Sequence, residues 1–289
     1  MLKNEIADTE RIFWRVQGDS LEPVTEPCIS PLDRGFLYGD GLFETIRCRG
    51  NTPLWLDRHL ARLQNGADVL GVDIDARFVG LKAAEAVEKS RFLDARLRIT
   101  ITRGEMGSDW RSLSSPSGPN IIIELSKLNP GKPLPVTLTI VSIRRDEKSP
   151  LSRVKSLNYL PSILAAAEAR KNGFDDGLML NTIGEVAEAS SSNILAVFGN
   201  RIVAPPVECG ALPGITREII LEISEKRGLE VIEKGVLAEE LKDADEVFLT
   251  NSIKGVIQVR RIDDTNYAKS SFTLDLAQVY ELEIERAVS

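Results

Sequence analysis

The 289-residue chain contains a single histidine, His59. That scarcity argues against imidazole-based zinc sites and against a Ser-His-Asp relay. Cysteine is almost as rare. Cys28, Cys48 and Cys209 are odd in number, far apart and without a CxxC pair, which excludes a disulfide framework and a cysteine zinc site. No apolar run approaches the ~20 residues needed to span a bilayer. The opening segment MLKNEIADTERIF carries acids where a signal peptide needs an apolar stretch. Basic residues fall short of acidic ones, 36 against 43, and a net charge of −7 disfavours general nucleic-acid binding. These absences predict a cytoplasmic enzyme or binding protein with no nucleic-acid or membrane partner and no metal. Its chemistry would run on Lys, Arg, Glu, Tyr and backbone amides.

What is present fits a folded chain: 43% hydrophobic and 27% charged residues. The length suits one large α/β domain or two smaller ones. The clearest break is SKLNPGKPLP at 126–135, which has linker composition. Before it, Leu56, Leu60, Leu63, Ala67 and Leu70 recur at helical spacing and stop at Gly71. Leu97, Ile99 and Ile101 alternate with Arg98, Thr100 and Thr102, which predicts a two-faced strand. The Ser-, Gly- and Pro-rich stretch 104–120 reads as a long active-site loop in which Trp110 and Arg111 touch or shield a substrate. After the break, strands are predicted at 138–143, 177–181, 193–198, 201–204 and 246–250, and helices at 162–171 and 216–227. Mixed elements on both sides of a break predict two α+β layers sharing a cleft.

Several residues carry candidate chemistry. Lys155, in VKSLNYLPS, is predicted between a strand and a helix, where desolvation would make its amine a nucleophile for a carbonyl. Taken alone, a lysine is more often a solvated surface residue. LPGITR opens a helix whose amides at Ile215 and Thr216, with the Thr216 hydroxyl, suit a phosphate; an ordinary helix start reads the same way. Thr250-Asn251-Ser252 offers hydroxyls and turn amides, or simply ends a strand. Arg62 is either a phosphate-binding arginine or a flanking residue of its helix. Glu188, in GEVAEASSSN, would keep a ring nitrogen protonated, or is a loop acid. The segment DRGFLYGDG at 33–41 matches neither a plain strand nor a plain helix. His59 reads as structural.

Taken in order over residues 33–259, these segments resemble the class IV (fold type IV) family of pyridoxal-phosphate enzymes. That family holds branched-chain aminotransferases, D-amino-acid aminotransferases and 4-amino-4-deoxychorismate lyases. DRGFLYGDGLFETIR resembles the N-terminal signature, RHLARL the helix with a phosphate-binding arginine, KSLNYL the Schiff-base segment, and EVAEASSSNI the segment with the pyridine-nitrogen glutamate. LPGITRE and ADEVFLTNS resemble the phosphate loops. The resemblance implies pyridoxal 5′-phosphate as cofactor and Lys155 as the catalytic lysine. It also implies cofactor contacts from Arg62, Tyr159, Glu188, Ile215, Thr216 and Ser252. It implies an α+β, two-domain fold-type-IV enzyme: a small N-terminal α/β domain at 1–128, a linker at 129–135, and a larger C-terminal α/β domain at 136–289. The lysine and glutamate would belong to the larger domain, with the cofactor in the cleft. A homodimer using small-molecule amino acids and 2-oxo acids is implied as well.

Substrate choice rests on pocket cations. By the resemblance, Arg98 and Phe43 line the substrate pocket, and Lys254 in NSIKGV is a second cation. The Arg-x-His of the best-known D-amino-acid enzymes is absent. TNSIKGVIQV resembles the lyase loop rather than the GTAAE of branched-chain enzymes. Two enzyme readings stay open. One is a transaminase between an amino acid, with a D-amino acid as a candidate donor, and a 2-oxo acid. The other is 4-amino-4-deoxychorismate lyase, which eliminates pyruvate to give 4-aminobenzoate for folate. Branched-chain aminotransferase is third. A non-catalytic ligand-binding relative is the contrasting class, and the presence of Lys155 and Glu188 argues against it.

Overall fold

The computed structural model describes residues 10–26, 29–129, 131–268 and 271–288. Cys28 and, within the expected linker, Pro130 lie outside them. The chain divides into two compact units, one of Met1–Pro130 with Val154–Asn158, the other of Gly131–Arg153 with Tyr159–Ala287. The Lys155 segment therefore packs with the first unit, whereas the resemblance implied the second.

In the first unit, β1 (Arg11–Gln17) and β2 (Ser20–Pro23) form a hairpin. A short helix α1 (Arg34–Tyr38) leads into β3 (Gly41–Arg49) and β4 (Thr52–Pro53). Helices α2 (Leu56–Leu70) and α3 (Ala76–Ser90) follow, then β5 (Asp94–Thr102) and β6 (Asn120–Lys127). The six strands lie in the order β2-β1-β6-β5-β3-β4. One sheet face carries Trp14, Ile46, Leu97, Ile99, Ile101, Ile123 and Leu125, which pack with Leu63, Ala67, Val79 and Ala83 of the two helices. The alternation expected in β5 is present, since Leu97, Ile99 and Ile101 are fully buried. Helix α2 stops as expected at Gly71, whose positive φ gives the left-handed cap.

The 33–41 segment is helical at its centre. Asp33 caps α1 by accepting from the Gly35 and Phe36 amides, and Gly39 ends it at φ 67°. The buried Asp33 carboxylate also accepts from Thr102 Oγ1 and Asn120 Nδ2, both at 2.7 Å. Asp40 accepts from Arg34 and Arg103, which outweigh the effect of burial and lower its pKa. Much of this motif therefore builds structure.

In the second unit the order is β7 (Val136–Arg145), α4 (Leu160–Lys171), β8 (Asp176–Asn181), β9 (Val186–Ala189), β10 (Asn193–Phe198) and β11 (Arg201–Ala204). Then come α5 (Ile215–Lys226), β12 (Glu230–Glu233), β13 (Glu246–Asn251), β14 (Gly255–Ile262), β15 (Thr265–Asn266) and α6 (Ser271–Val288). The pairing β10-β13-β14-β7-β8-β9 returns to β10 through Asn193 and Glu188, so six strands close a ring. Its core holds Leu138, Leu178, Ile194, Val247, Leu249, Ile257 and Val259. Helix α5 buries Ile219, Ile220 and Ile223, as its spacing predicts. Among the described residues, no helix is long and apolar enough to cross a membrane.

Candidate active site

The first unit brings Lys155, Phe43, Arg98, Arg62 and His59 together with an acid the sequence reading did not single out, Glu44. A strand was expected just before Lys155; a 3-10 turn at Pro150–Arg153 stands there instead. The Lys155 backbone runs beside the start of β3. Its carbonyl accepts from the Phe43 amide at 3.0 Å, and Ser156 bridges Leu42. The Lys155 Nζ lies 4.3 Å from the centroid of the buried Phe43 ring, and the Arg98 guanidinium lies 4.0 Å from the same ring. Arg98 also donates to Thr100 Oγ1 at 3.1 Å. The amine is half-buried and stands against the Phe43 ring.

Glu44 points to the core face of β3, with no exposure to solvent. Arg62 clamps it from α2 as a fork, Nε to Oε1 at 2.9 Å and Nη2 to Oε2 at 2.7 Å. His59 adds an Nδ1 contact at 2.7 Å. Burial alone would raise the Glu44 pKa, but Arg62 and His59 hold it well below the carboxylate range. Burial is the largest influence on His59 and lowers its pKa, against the pull of Glu44; Arg62 and Lys155 lower it further. The neutral imidazole then donates Nδ1–H to a carboxylate that can only accept. Residues 59 and 62 are one helical turn apart, so both reach one acid on the strand beneath. Arg62 is therefore oriented by Glu44.

The second unit carries the other group. Glu188, on β9, is 8% exposed. Its Oε2 accepts from the Leu212 amide at 2.9 Å, and its Oε1 lies 3.2 Å from Arg145 Nε. Tyr159 donates to the Ser190 carbonyl at 3.2 Å; burial and the Glu188 charge raise the phenol's pKa. Leu212 leads into Pro213-Gly214 and the start of α5, where no side chain caps the first amides of Ile215 and Thr216. Asn193, beside Glu188 in the strand register, donates to the Leu212 carbonyl at 2.8 Å. Its Oδ1 sits where a Cβ on Gly214 would go. Opposite Asn193 on β13 is Thr250, whose buried Oγ1 has no hydrogen-bond partner among the described residues. The next residues form the turn with Ser252 and the exposed Lys254, closed by Asn251 Oδ1 accepting from the Ile253 and Lys254 amides. An uncapped helix start, an orphaned buried hydroxyl and a carboxylate tied to the same loop suit a ligand with a dianionic end and a basic ring nitrogen.

The Gly214 seat gives a stability test. Forcing a methyl group against Asn193 should cost about 1–3 kcal/mol. Gly214→Ala is expected to unfold at correspondingly lower urea concentration. An unchanged midpoint would show that the loop yields freely.

The chain was also compared with known proteins. Residues 41–262 match the family model described as amino-transferase class IV. The aminodeoxychorismate lyase of Bacillus subtilis (strain 168) is 31% identical over 267 residues, covering 90% of this chain and 91% of that protein. The D-alanine aminotransferase of Bacillus licheniformis is 33% identical, covering 80% and 82%. The solved branched-chain aminotransferase of the thermophilic archaeon Thermoproteus uzoniensis, determined with norvaline, superimposes with a TM-score of 0.84 at 30% identity, covering 93% of each chain.

Proposed function

The chain belongs to the class IV aminotransferase family, and from that premise we propose that it is a pyridoxal-phosphate-dependent transaminase acting between an amino acid and a 2-oxo acid. The observation that carries the cofactor assignment is the buried Glu188 carboxylate hydrogen-bonded to the loop that opens α5. Ile215, Thr216 and Ser252, with Arg62, would hold the phosphate. Glu188 would hold the ring nitrogen, and Tyr159 would stand near the ring. When bound, the cofactor supplies an electron sink for the carbon that bears the substrate amino group.

The chain's own residues supply the rest. The Lys155 amine would hold the cofactor and, once displaced, take the proton from the substrate Cα and return one to the other reacting carbon. It can do so only when neutral. Arg98 would receive the substrate carboxylate, with its guanidinium plane fixed by Phe43 and Thr100. Phe43 would shield the amine from water. The D-amino-acid preference, the homodimer and the cytoplasmic location belong to this proposal. Light scattering tests the dimer.

The lyase reading is favoured by one observation, the long coverage of the Bacillus subtilis lyase. There Lys254 would take a second substrate carboxylate. The deciding experiment mixes loaded enzyme with D-alanine, L-leucine or L-glutamate alone. One equivalent of 2-oxo acid per subunit, stopping until an acceptor is added, is the transaminase result. No 2-oxo acid from any of the three, with pyruvate and 4-aminobenzoate from aminodeoxychorismate, establishes the lyase.

A further inference from the structure

Tyr280, on α6, was not among the residues the sequence singled out. The helix buries Thr273, Leu276, Tyr280 and Ile284, which share one face at helical spacing. Its start is fixed to β13. Glu246 Oε1 accepts from the Phe272 amide at 2.9 Å, and its Oε2 from the Thr273 amide at 2.8 Å. Further along, the fully buried Tyr280 side chain meets both segments read as phosphate loops. Its hydroxyl lies 3.4 Å from the Oγ1 of Thr216, itself buried in the first turn of α5. Either hydroxyl can be the donor. The edge of the Tyr280 ring fills the space beside Gly255, where a Cβ would sit 2.8 Å from its Cε1 and 3.0 Å from its Cδ1. Gly255, at φ 67°, pairs with Asn251 across β13 and β14, and these two residues close the turn that carries Ser252. One phenol thus touches the α5 start with its oxygen and the base of the Ser252 turn with its ring.

We propose that Tyr280 is a positioning residue for the phosphate site: its oxygen fixes where the Thr216 hydroxyl stands, and its ring seats the Ser252 turn opposite. The inference rests on the reading of Thr216 and Ser252 as phosphate contacts. A dianion is held by several donors at once, and a donor moved out of hydrogen-bonding distance loses most of its contact. Tyr280 acts through the two segments it touches, so α6 becomes the floor of the site. The link is reciprocal. A phosphate that ties Thr216 to the Ser252 turn also steadies the seat of Tyr280, and with it the middle of α6.

The test compares two probes binding to the full-length apoenzyme, pyridoxamine 5′-phosphate and pyridoxamine, which differ only in the phosphate. Tyr280→Phe keeps the ring beside Gly255 and removes the hydroxyl. In it the phosphate-bearing probe should bind roughly three- to tenfold more weakly, the scale of one hydrogen bond, while pyridoxamine binds as to wild type. An equal loss for pyridoxamine, or an unchanged dissociation constant for pyridoxamine 5′-phosphate, overturns the proposal and leaves Tyr280 a packing residue. Thr216→Val separates the two ideas. If it binds pyridoxamine 5′-phosphate as tightly as wild type, the assignment of Thr216 fails, whatever Tyr280 does. If it binds more weakly, adding Tyr280→Phe should cost less than about a further twofold, because the phenol acts through Thr216. A full independent loss in the double variant overturns the proposal. Should Tyr280→Phe not fold, hydrogen exchange of the wild-type protein decides the matter. At equal saturation, pyridoxamine 5′-phosphate should slow exchange in the middle of α6 more than pyridoxamine does, and equal rates with the two probes overturn the proposal.

Discussion

Lys155→Ala enzyme is expected to fold, to bind pyridoxamine 5′-phosphate and to turn over at least about a thousandfold more slowly than wild type. A positioned general base accounts for roughly 10²–10⁴ of a rate, and among the described residues Lys155 is the lysine whose amine stands over Phe43. The loss of stability should be small, because the Nζ contact with the ring is worth about 0.5–1 kcal/mol. Added methylamine should restore part of the rate, since it supplies a neutral base without a tether. Lys155→Arg should not recover activity, because a guanidinium stays charged. The measurement is steady-state release of 2-oxo acid. A Lys155→Ala protein within tenfold of wild type would remove Lys155 from the chemistry.

Glu44→Ala should produce the largest loss of stability from one side chain in the first unit. Removing one member of a buried ion pair leaves the other charge without compensation and costs about 3–5 kcal/mol. Here Arg62 would lose both arms of its fork and His59 its acceptor. Urea unfolding measures it, and a loss below about 1 kcal/mol would show that water enters to replace the carboxylate. A triple variant, Glu44→Leu with His59→Leu and Arg62→Met, should regain much of the stability, because well-packed apolar groups often match a buried ion pair. It should not regain cofactor affinity, because Arg62 is gone. The pH dependence has a definite sign. Glu44 has a folded pKa below its unfolded value, so its stabilisation is complete above the unfolded pKa of about 4.3 and is lost as pH falls below it. Between pH 5 and pH 3 wild type should lose more stability than Glu44→Gln.

Regular periodicity made α2 and β5 legible, because their apolar residues face one core without interruption. The same rule hid β3. There Leu42, Ile46 and Cys48 face inward, but so does Glu44, while Phe43 is buried on the opposite face against Lys155 and Arg98. An acid on the core side and a buried aromatic on the other face erase the alternation a strand is read by. The clue lay further along: an acid in an apolar set needs cations, and His59 and Arg62 are spaced one turn apart to supply them. α1 was obscured by its glycines, which serve as cap and close contact. Lys155, Glu188 and the α5 start were legible as residue types in order, since their chemistry is local. Arg145 was not, because its partners Glu188 and Gly210 lie far along the chain from it and its partner Ser152 sits in an irregular turn.

That ring also bears on which strand edges are left for another chain to pair with. Most ladders of the ring are paired, and the outermost strands that lie outside it are short. In the second unit these are the two-residue β15 and the four-residue β12, which begins and ends in glutamate. In the first unit the outer strands are β2, which ends Glu22-Pro23, and β4, which ends at Pro53. Short length, repelling charge and missing amide donors thus mark these outlying strands. Refolding from denaturant at high concentration is most exposed before the ring closes, when β9 and β10 still present their backbones.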